Sequence, residues 1–254
     1  MPKTAANRHH LAGYAWLTMN NSDHYGTLAL VGGDEFGPHC SFDAELLARS
    51  GARRVTLLPT AATYERPEHA IANGTSYLTG LGVEVEVIEL YSRSDAHNDA
   101  IVNQIANAKF LYCIGGSPLH LRSVLIDTPA LNAISSAWAN GTTIVASSAS
   151  AMVLGDPMID PRGGALTIGL GVIEHLAVLP HADQRSQAIR ERTIHLVHTP
   201  TVMVEIDAQT ALVYDAAHGL EVLGQGGVGA YQDASPVELT VVTSLLQRRQ
   251  NPTS

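Results

Sequence analysis

Apolar residues in this chain come in short runs separated by small or polar ones, and the spacing of the runs changes along the sequence. Residues 27–31, 54–58, 110–114 and 142–145 are brief, continuous and largely β-branched or aromatic, the pattern of strands buried on both faces. Residues 83–90 differ: Val83, Val85 and Val87 alternate with Glu84 and Glu86, which predicts a strand with one wet face near a sheet edge. Between these runs the spacing becomes helical over 43–49, about 65–81, 119–126 and 129–140. Another helix is expected from a cap at Asp95 to about residue 107. Gly51 and Gly82 stand where the first two of these helices should end.

Strands alternating with helices in this way predict a three-layer, doubly wound α/β fold around a mostly parallel sheet with right-handed crossovers. Ligands of such sheets bind beyond the carboxyl ends of the strands. The loops at 32–35, 59–63, 115–118 and 146–150 all lie at such ends. After residue 175 the pattern changes. A strand at 176–179 runs into Pro180-His181, and a polar helical segment follows over 184–197. Four short runs at 202–206, 211–214, 220–223 and 227–231 then read as C-terminal antiparallel strands closing one edge of the sheet. The expected organisation is a lead-in segment over 1–26, one α/β domain over 27–246 and a polar tail over 247–254, with no internal repeat.

One junction carries chemistry. Thr142 to Val145 forms a strand, Ala146-Ser147-Ser148-Ala149-Ser150 are all small, and Ala151 to Leu154 resume a helix-compatible pattern. A sharp strand-to-helix turn with small flanking residues is how a hydrolase exposes a nucleophile, so Ser148 is the candidate. Ala146 and Ser150 occupy the flanking positions where glycine is usual. A small-residue turn that merely joins a strand to a helix has the same local signature.

The net charge of −9 argues against a nucleic-acid partner, which would call for a basic face. No stretch approaches the roughly 18 apolar residues that span a bilayer, and the first residues, with His9-His10, show no apolar signal core. Cys40 and Cys113 form no CxxC pair and are expected as free thiols, Cys113 within a strand. These features together point to the cytoplasm, with no cofactor. Gly32-Gly33-Asp34 lacks the spacing of a nucleotide-binding loop. His195 and His198 could share a helix face, but no third metal ligand is evident, so no metal site is expected.

Taken in order, LALVGGDE (28–35), RVTLLPTAAT (54–63), LYCIGGSPLHL (111–121), SSASAMVLGDPMI (147–159), GLGVIEHLAVLPHADQR (169–185) and TALVYDAAHGLEVLGQGGV (210–228) resemble the cyanophycinase and aspartyl dipeptidase (dipeptidase E) group of serine peptidases. The similarity runs over roughly residues 27–232 and implies a class I glutamine amidotransferase-like, flavodoxin-like fold. It implies Ser148 as nucleophile and His181 as general base, with Gly115, Gly116 and the N–H of Ala149 forming an oxyanion hole. For the third member it implies Asp160 or Asp156, with Asp160 nearer the family's spacing. Gln184 and Arg185 follow the histidine as in the family, and the guanidinium of Arg185 could either take a substrate carboxylate or make a surface salt bridge. The expected activity is that of a serine-type exopeptidase cutting peptide or isopeptide bonds at aspartyl residues, in a homodimer. The alternative is a catalytically impaired relative that binds a small acidic ligand.

Overall fold

The computed structural model describes residues 25–250. Most of the expected lead-in, and the tail beyond residue 250, lie outside the described residues. Five strands, β1 (Leu28–Val31), β2 (Arg54–Leu58), β3 (Glu84–Val87), β4 (Phe110–Cys113) and β5 (Thr143–Ser147), pair in parallel in the order β1-β5-β4-β2-β3. The alternating strand β3 lies at the edge, as its wet face requires. Between and after the strands run α1 (Phe42–Ser50), α2 (Pro67–Gly80), α3 (Asp99–Ala106), α4 (Pro118–Leu125), α5 (Pro129–Ala139) and α6 (Ala149–Leu154).

Side chains alternate across a strand, so β1 feeds both faces of the sheet. Leu28 and Leu30 pack with Ile105, Leu121, Ile134 and Met152 of α3 to α6. Ala29 and Val31 pack with Phe42, Leu46 and Leu78 of α1 and α2. These two cores give the three layers. The helices begin where their sequence allows. Pro118 and Pro129 open α4 and α5 behind Ser117 and Thr128, whose hydroxyls accept from His120 N and Leu131 N. The start of α3 differs from expectation. Asp95 is occupied by its own turn, accepting from the N–H groups of Tyr91 and Ser92, and Asn98 caps the helix instead through Ala100 N.

The last third departs further. Short pairings that the sequence pattern does not predict, β6 (Gly155–Asp156) with β9 (Ile173–Glu174) and β7 (Met158–Ile159) with β8 (Leu166–Thr167), follow α6. Then β10 (Leu176–Pro180) leads through α7 (Gln187–Leu196) to β11 (Val202–Ile206), β12 (Thr210–Asp215), β13 (Gly219–Gly224), β14 (Val228–Gln232) and β15 (Ser235–Pro236). Only β12 and β13 join the main sheet, antiparallel beside β1. The other runs make a second sheet in the order β10-β11-β14-β15, with β10 and β11 parallel. The β12–β13 hairpin occupies the edge beside β1, and β11 is buried along its whole length between β10 and β14. Inside this sheet Glu205 is held by a two-pronged Arg190 contact and by the Tyr231 hydroxyl, which ties α7 to β11 and β14. The last helix, α8 (Thr240–Gln250), runs into the segment expected as a polar tail. No helix among the described residues is long and apolar enough to cross a membrane.

One buried group opposes stability. Asp43 of α1 is fully buried, neither carboxyl oxygen has a hydrogen-bond partner, and burial pushes its pKa up to about 7, while the nearby Tyr77 and Tyr112 hydroxyls lower it only in part. Tyr77 gives its proton to the Cys40 carbonyl instead. In the unfolded chain the carboxyl ionises near 3.9. Between about pH 4 and 7 the folded state therefore holds a proton that the unfolded state has released, and stability falls as pH rises. Asp43→Asn keeps the shape without the charge. Urea unfolding should show it gaining on the wild type by about 1–4 kcal/mol between pH 4.5 and pH 8. A constant difference across that range would show that Asp43 is not the group responsible.

Candidate active site

β5 ends at Ser147, α6 starts at Ala149, and Ser148 between them has φ 51° and ψ −111°. A residue with a Cβ pays a steric penalty there, so the surroundings must hold it. Ser148 N donates to the Val31 carbonyl at 2.9 Å, and Met152 N to the Ser148 carbonyl at 3.0 Å. The small neighbours fit. Ala146 is fully buried in β5, and the Ser150 hydroxyl is absorbed by a 2.7 Å bond to the Ile114 carbonyl. Both departures from glycine are thus accommodated without distorting the turn.

His181 arrives from the second sheet, directly after β10, in the left-handed conformation with φ 53°. Its N–H donates to the Gly32 carbonyl at 2.7 Å. Its ring lies on Gly33, where an added Cβ would come within 2.1 Å of the imidazole, and Gly33 itself has φ +112°. So placed, His181 Nε2 is 2.9 Å from Ser148 Oγ. The structure therefore brings together the two residues singled out as nucleophile and base.

The expected acids are not brought to the histidine. The Asp160 carboxylate is tied to Arg162 through its backbone N–H and guanidinium, and these bonds pull its pKa down to about 2. Asp156 accepts from Gly169 N at 2.9 Å. Among the described residues, the carboxylate within 4 Å of a His181 nitrogen is Asp34, with Oδ1 3.9 Å from Nδ1. That Nδ1 is buried with no hydrogen-bond partner. Gln184, expected at the substrate, donates to Asp34 Oδ2 at 2.9 Å.

The glycine loop after β4 is pinned from below. Ser117 N donates to the Ala61 carbonyl at 2.8 Å, and a Cβ on Gly116 would lie 2.3 Å from that same oxygen. Gly115 N–H donates to Glu35 Oε1 at 2.7 Å, so it is occupied. Gly116 N–H makes no hydrogen bond among the described residues, and Ala149 N–H, at the first position of α6, has no partner within its helix. Over these groups opens a cavity of about 880 Å³ walled by Asp34, Glu35, Glu65, Tyr77, Arg185 and Gln209. Arg185 Nε is buried there without a partner. Cys113, within β4, is buried and its thiol is pushed up to about 12, unsuited to nucleophilic attack. His195 is bonded to the Glu191 carbonyl and His198 faces Asp233. No cluster of three or more metal-ligating side chains occurs among the described residues.

Asp34, Glu35, Glu65 and Gln209 were not singled out as site residues from the sequence. A signal existed for the first two, since Gly32-Gly33-Asp34-Glu35 directly follows a buried strand at its carboxyl end.

A parallel α/β sheet with a serine–histidine pair over a cavity at its carboxyl edge is an arrangement suited to hydrolysis. The sequence pattern of peptidase family S51 matches residues 28–220, and the chain belongs to that family of peptidases. It is 28% identical over 207 residues to a cyanophycinase of Nostoc sp., covering 76% of this chain and 67% of that protein, and equally so to the cyanophycinase of Trichormus variabilis. Among solved structures it superimposes on a peptidase from an acI-B1 Actinobacterium with a TM-score of 0.74, at 27% identity, over 85% of this chain and 94% of the other. A protein of Listeria monocytogenes described as a peptidase E shares the fold, with a TM-score of 0.60 at 20% identity over 80% of this chain and all of the other.

The contact between Gly33 and the imidazole generates a test. Gly33→Ala should drive the ring off Ser148 and lower the rate of serine labelling by a fluorophosphonate at least ~100-fold, since displacement of about 1 Å costs that much. Gly163→Ala, where nothing lies within 4 Å of the added methyl, should label at the wild-type rate. Equal rates in the two variants would show that the imidazole tolerates a side chain at residue 33.

Proposed function

We propose that the chain is a serine peptidase that hydrolyses aspartyl peptide or isopeptide bonds in small peptides through an acyl-enzyme. The observation that carries this reading is the 2.9 Å contact between Ser148 Oγ and His181 Nε2 at the mouth of the cavity. A serine hydroxyl is a weak nucleophile until an adjacent base removes its proton, and His181 is within reach to do so. Ser148 Oγ attacks the carbonyl carbon, and its proton passes to Nε2 and then to the leaving amine. The oxyanion forms against the unpartnered N–H groups of Gly116 and Ala149. Water then attacks the acyl-enzyme, with His181 again taking the proton. Gly115, whose N–H is occupied, serves by leaving room for the loop.

Asp34 replaces Asp160 and Asp156 as the orienting carboxylate in this reading. It is half-exposed, and closing the 3.9 Å gap to Nδ1 needs a movement of about 1 Å. Catalytic hydrogen bonds in unliganded sites are often long in this way. For the substrate, the unpartnered Arg185 Nε suits a carboxylate. Asp34 and Glu65 give the same cavity an excess of acids over its one arginine, which favours a peptide that also carries a positive group. A dipeptide fits this volume. The second reading, a binding protein without turnover, draws on the missing hydrogen bond to His181 Nδ1.

A fluorophosphonate probe followed by mass spectrometry should place its adduct on Ser148 in the wild type and find none in Ser148→Ala. A wild type that stays unlabelled yet is stabilised by aspartyl dipeptides would favour the binding reading. Among acid variants, Asp34→Asn should lower kcat on an aspartyl dipeptide by about 10- to 100-fold. Asp160→Asn should leave it within about twofold, because a surface substitution away from the site changes little. The reverse order would return the orienting role to the acid after the serine turn.

A further inference from the structure

We infer that Glu35 is a positioning residue, and that with Ser150 it clamps the Ile114–Gly115 peptide unit so that the glycine loop and the serine turn present their N–H groups to one point. The inference rests on the serine-peptidase reading and adds a role for residues outside the serine–histidine pair.

Glu35 sits on the loop after β1, while its carboxylate lies between the ends of the two neighbouring strands. Oε1 accepts from Gly115 N after β4, and Oε2 accepts from the hydroxyl of Ser147 at the end of β5, both at 2.7 Å. In the sheet order β1-β5-β4 one side chain thus stands beyond the first strand and bonds at the carboxyl ends of the other two. Ser147 is fully buried and immediately precedes the nucleophile. Space is tight as well: a Cβ on Gly115 would stand 3.1 Å from Glu35 Oε1 and 3.1 Å from Ser148 Cβ.

The same peptide unit is held at its other end. Gly115 N–H points to Glu35, and the carbonyl of that peptide, on Ile114, accepts from Ser150 Oγ of α6 at 2.7 Å. A peptide group is planar, so fixing its N–H and its C=O from opposite sides removes rotation of the whole unit. The next N–H along, that of Gly116, is left unpaired, and it is held between this fixed unit and the bond from Ser117 N to the Ala61 carbonyl. Ser147 and Ser150 flank Ser148, and both are linked to this one peptide, Ser147 through Glu35 and Ser150 directly. The orientation of the oxyanion donors is thereby coupled to the orientation of the nucleophile. Preorganisation of this kind lowers the barrier because the donors need not reorient as charge develops.

The test compares Glu35→Ala, Ser150→Ala and the double variant in the full chain. Acylation of Ser148 by a fluorophosphonate and kcat on an aspartyl dipeptide should fall about 10- to 100-fold in Glu35→Ala, with KM and the melting temperature little changed. Adding Ser150→Ala should cost less than it does alone, because the peptide is already free on one side. A loss confined to KM would make Glu35 a substrate-binding group and overturn the clamp, as would strictly additive losses. Amide exchange at Gly115 reads the clamp without any turnover: slow in the wild type, fast in Glu35→Ala, with Ser147→Ala as a milder variant should Glu35→Ala fail to fold. Fast exchange at Gly115 in the wild type would overturn the inference. An unlabelled Ser148 in a wild type with a protected Gly115 would instead overturn the peptidase mechanism and leave the clamp standing.

Discussion

Everything at this site depends on how closely the second sheet can approach the end of β1. Ser148 follows a strand of the parallel sheet and His181 a strand of the smaller one, so neither sheet alone holds the pair. Two glycines make the approach possible. At Gly32 the backbone of Asp207 lies 2.0 Å from where a Cβ would be, and at Gly33 the imidazole occupies that space. Backbone bonds then fasten the seam: His181 N to the Gly32 carbonyl, and Gln209 N, from the turn between β11 and β12, to the Gly33 carbonyl. Ser148 N is bonded to the residue just before them, Val31. The end of β1 is therefore the common reference for Ser148 and His181, and their 2.9 Å separation follows from backbone contacts on both sides.

How much of this was legible in the sequence depended on whether the determining contact was local. The parallel strands could be read because burial on both faces makes a strand continuously apolar, as in residues 110–113, and glycine marks its end. Ser148 could be read because the steric demand for small neighbours falls within five residues. The pairing of β11 could not. Residues 202–206 and 211–214 have the same apolar character, and which sheet each joins is decided by partners distant in the chain. The acid was hard to read for a related reason. The family's spacing from the histidine points to Asp160, yet Arg162, two residues away, satisfies that carboxylate locally. The carboxylates that do reach the site, Asp34 and Glu35, come from the far end of the fold's sequence and meet His181 and Gly115 only when the strands are in place.

The substitutions beside Ser148 show how a turn can change chemistry without losing shape. Glycine at a strained turn supplies freedom, and that freedom is entropy lost on folding. Alanine at 146 lies inside β5, where backbone dihedrals are regular and the methyl fills the core, so nothing is lost by giving freedom up. Serine at 150 lies within α6, also in regular backbone, and its hydroxyl finds the Ile114 carbonyl. Within the turn, residues 146–150, only Ser148 carries the unfavourable φ. The strain is thus concentrated in the residue whose exposure requires it, while its neighbours are ordinary helix and strand residues. A hydroxyl buried in a helix can loosen the turn by competing for a carbonyl of its own helix. Here it takes that of Ile114, just after β4, instead, so the bond that satisfies Ser150 also ties the serine turn to the glycine loop.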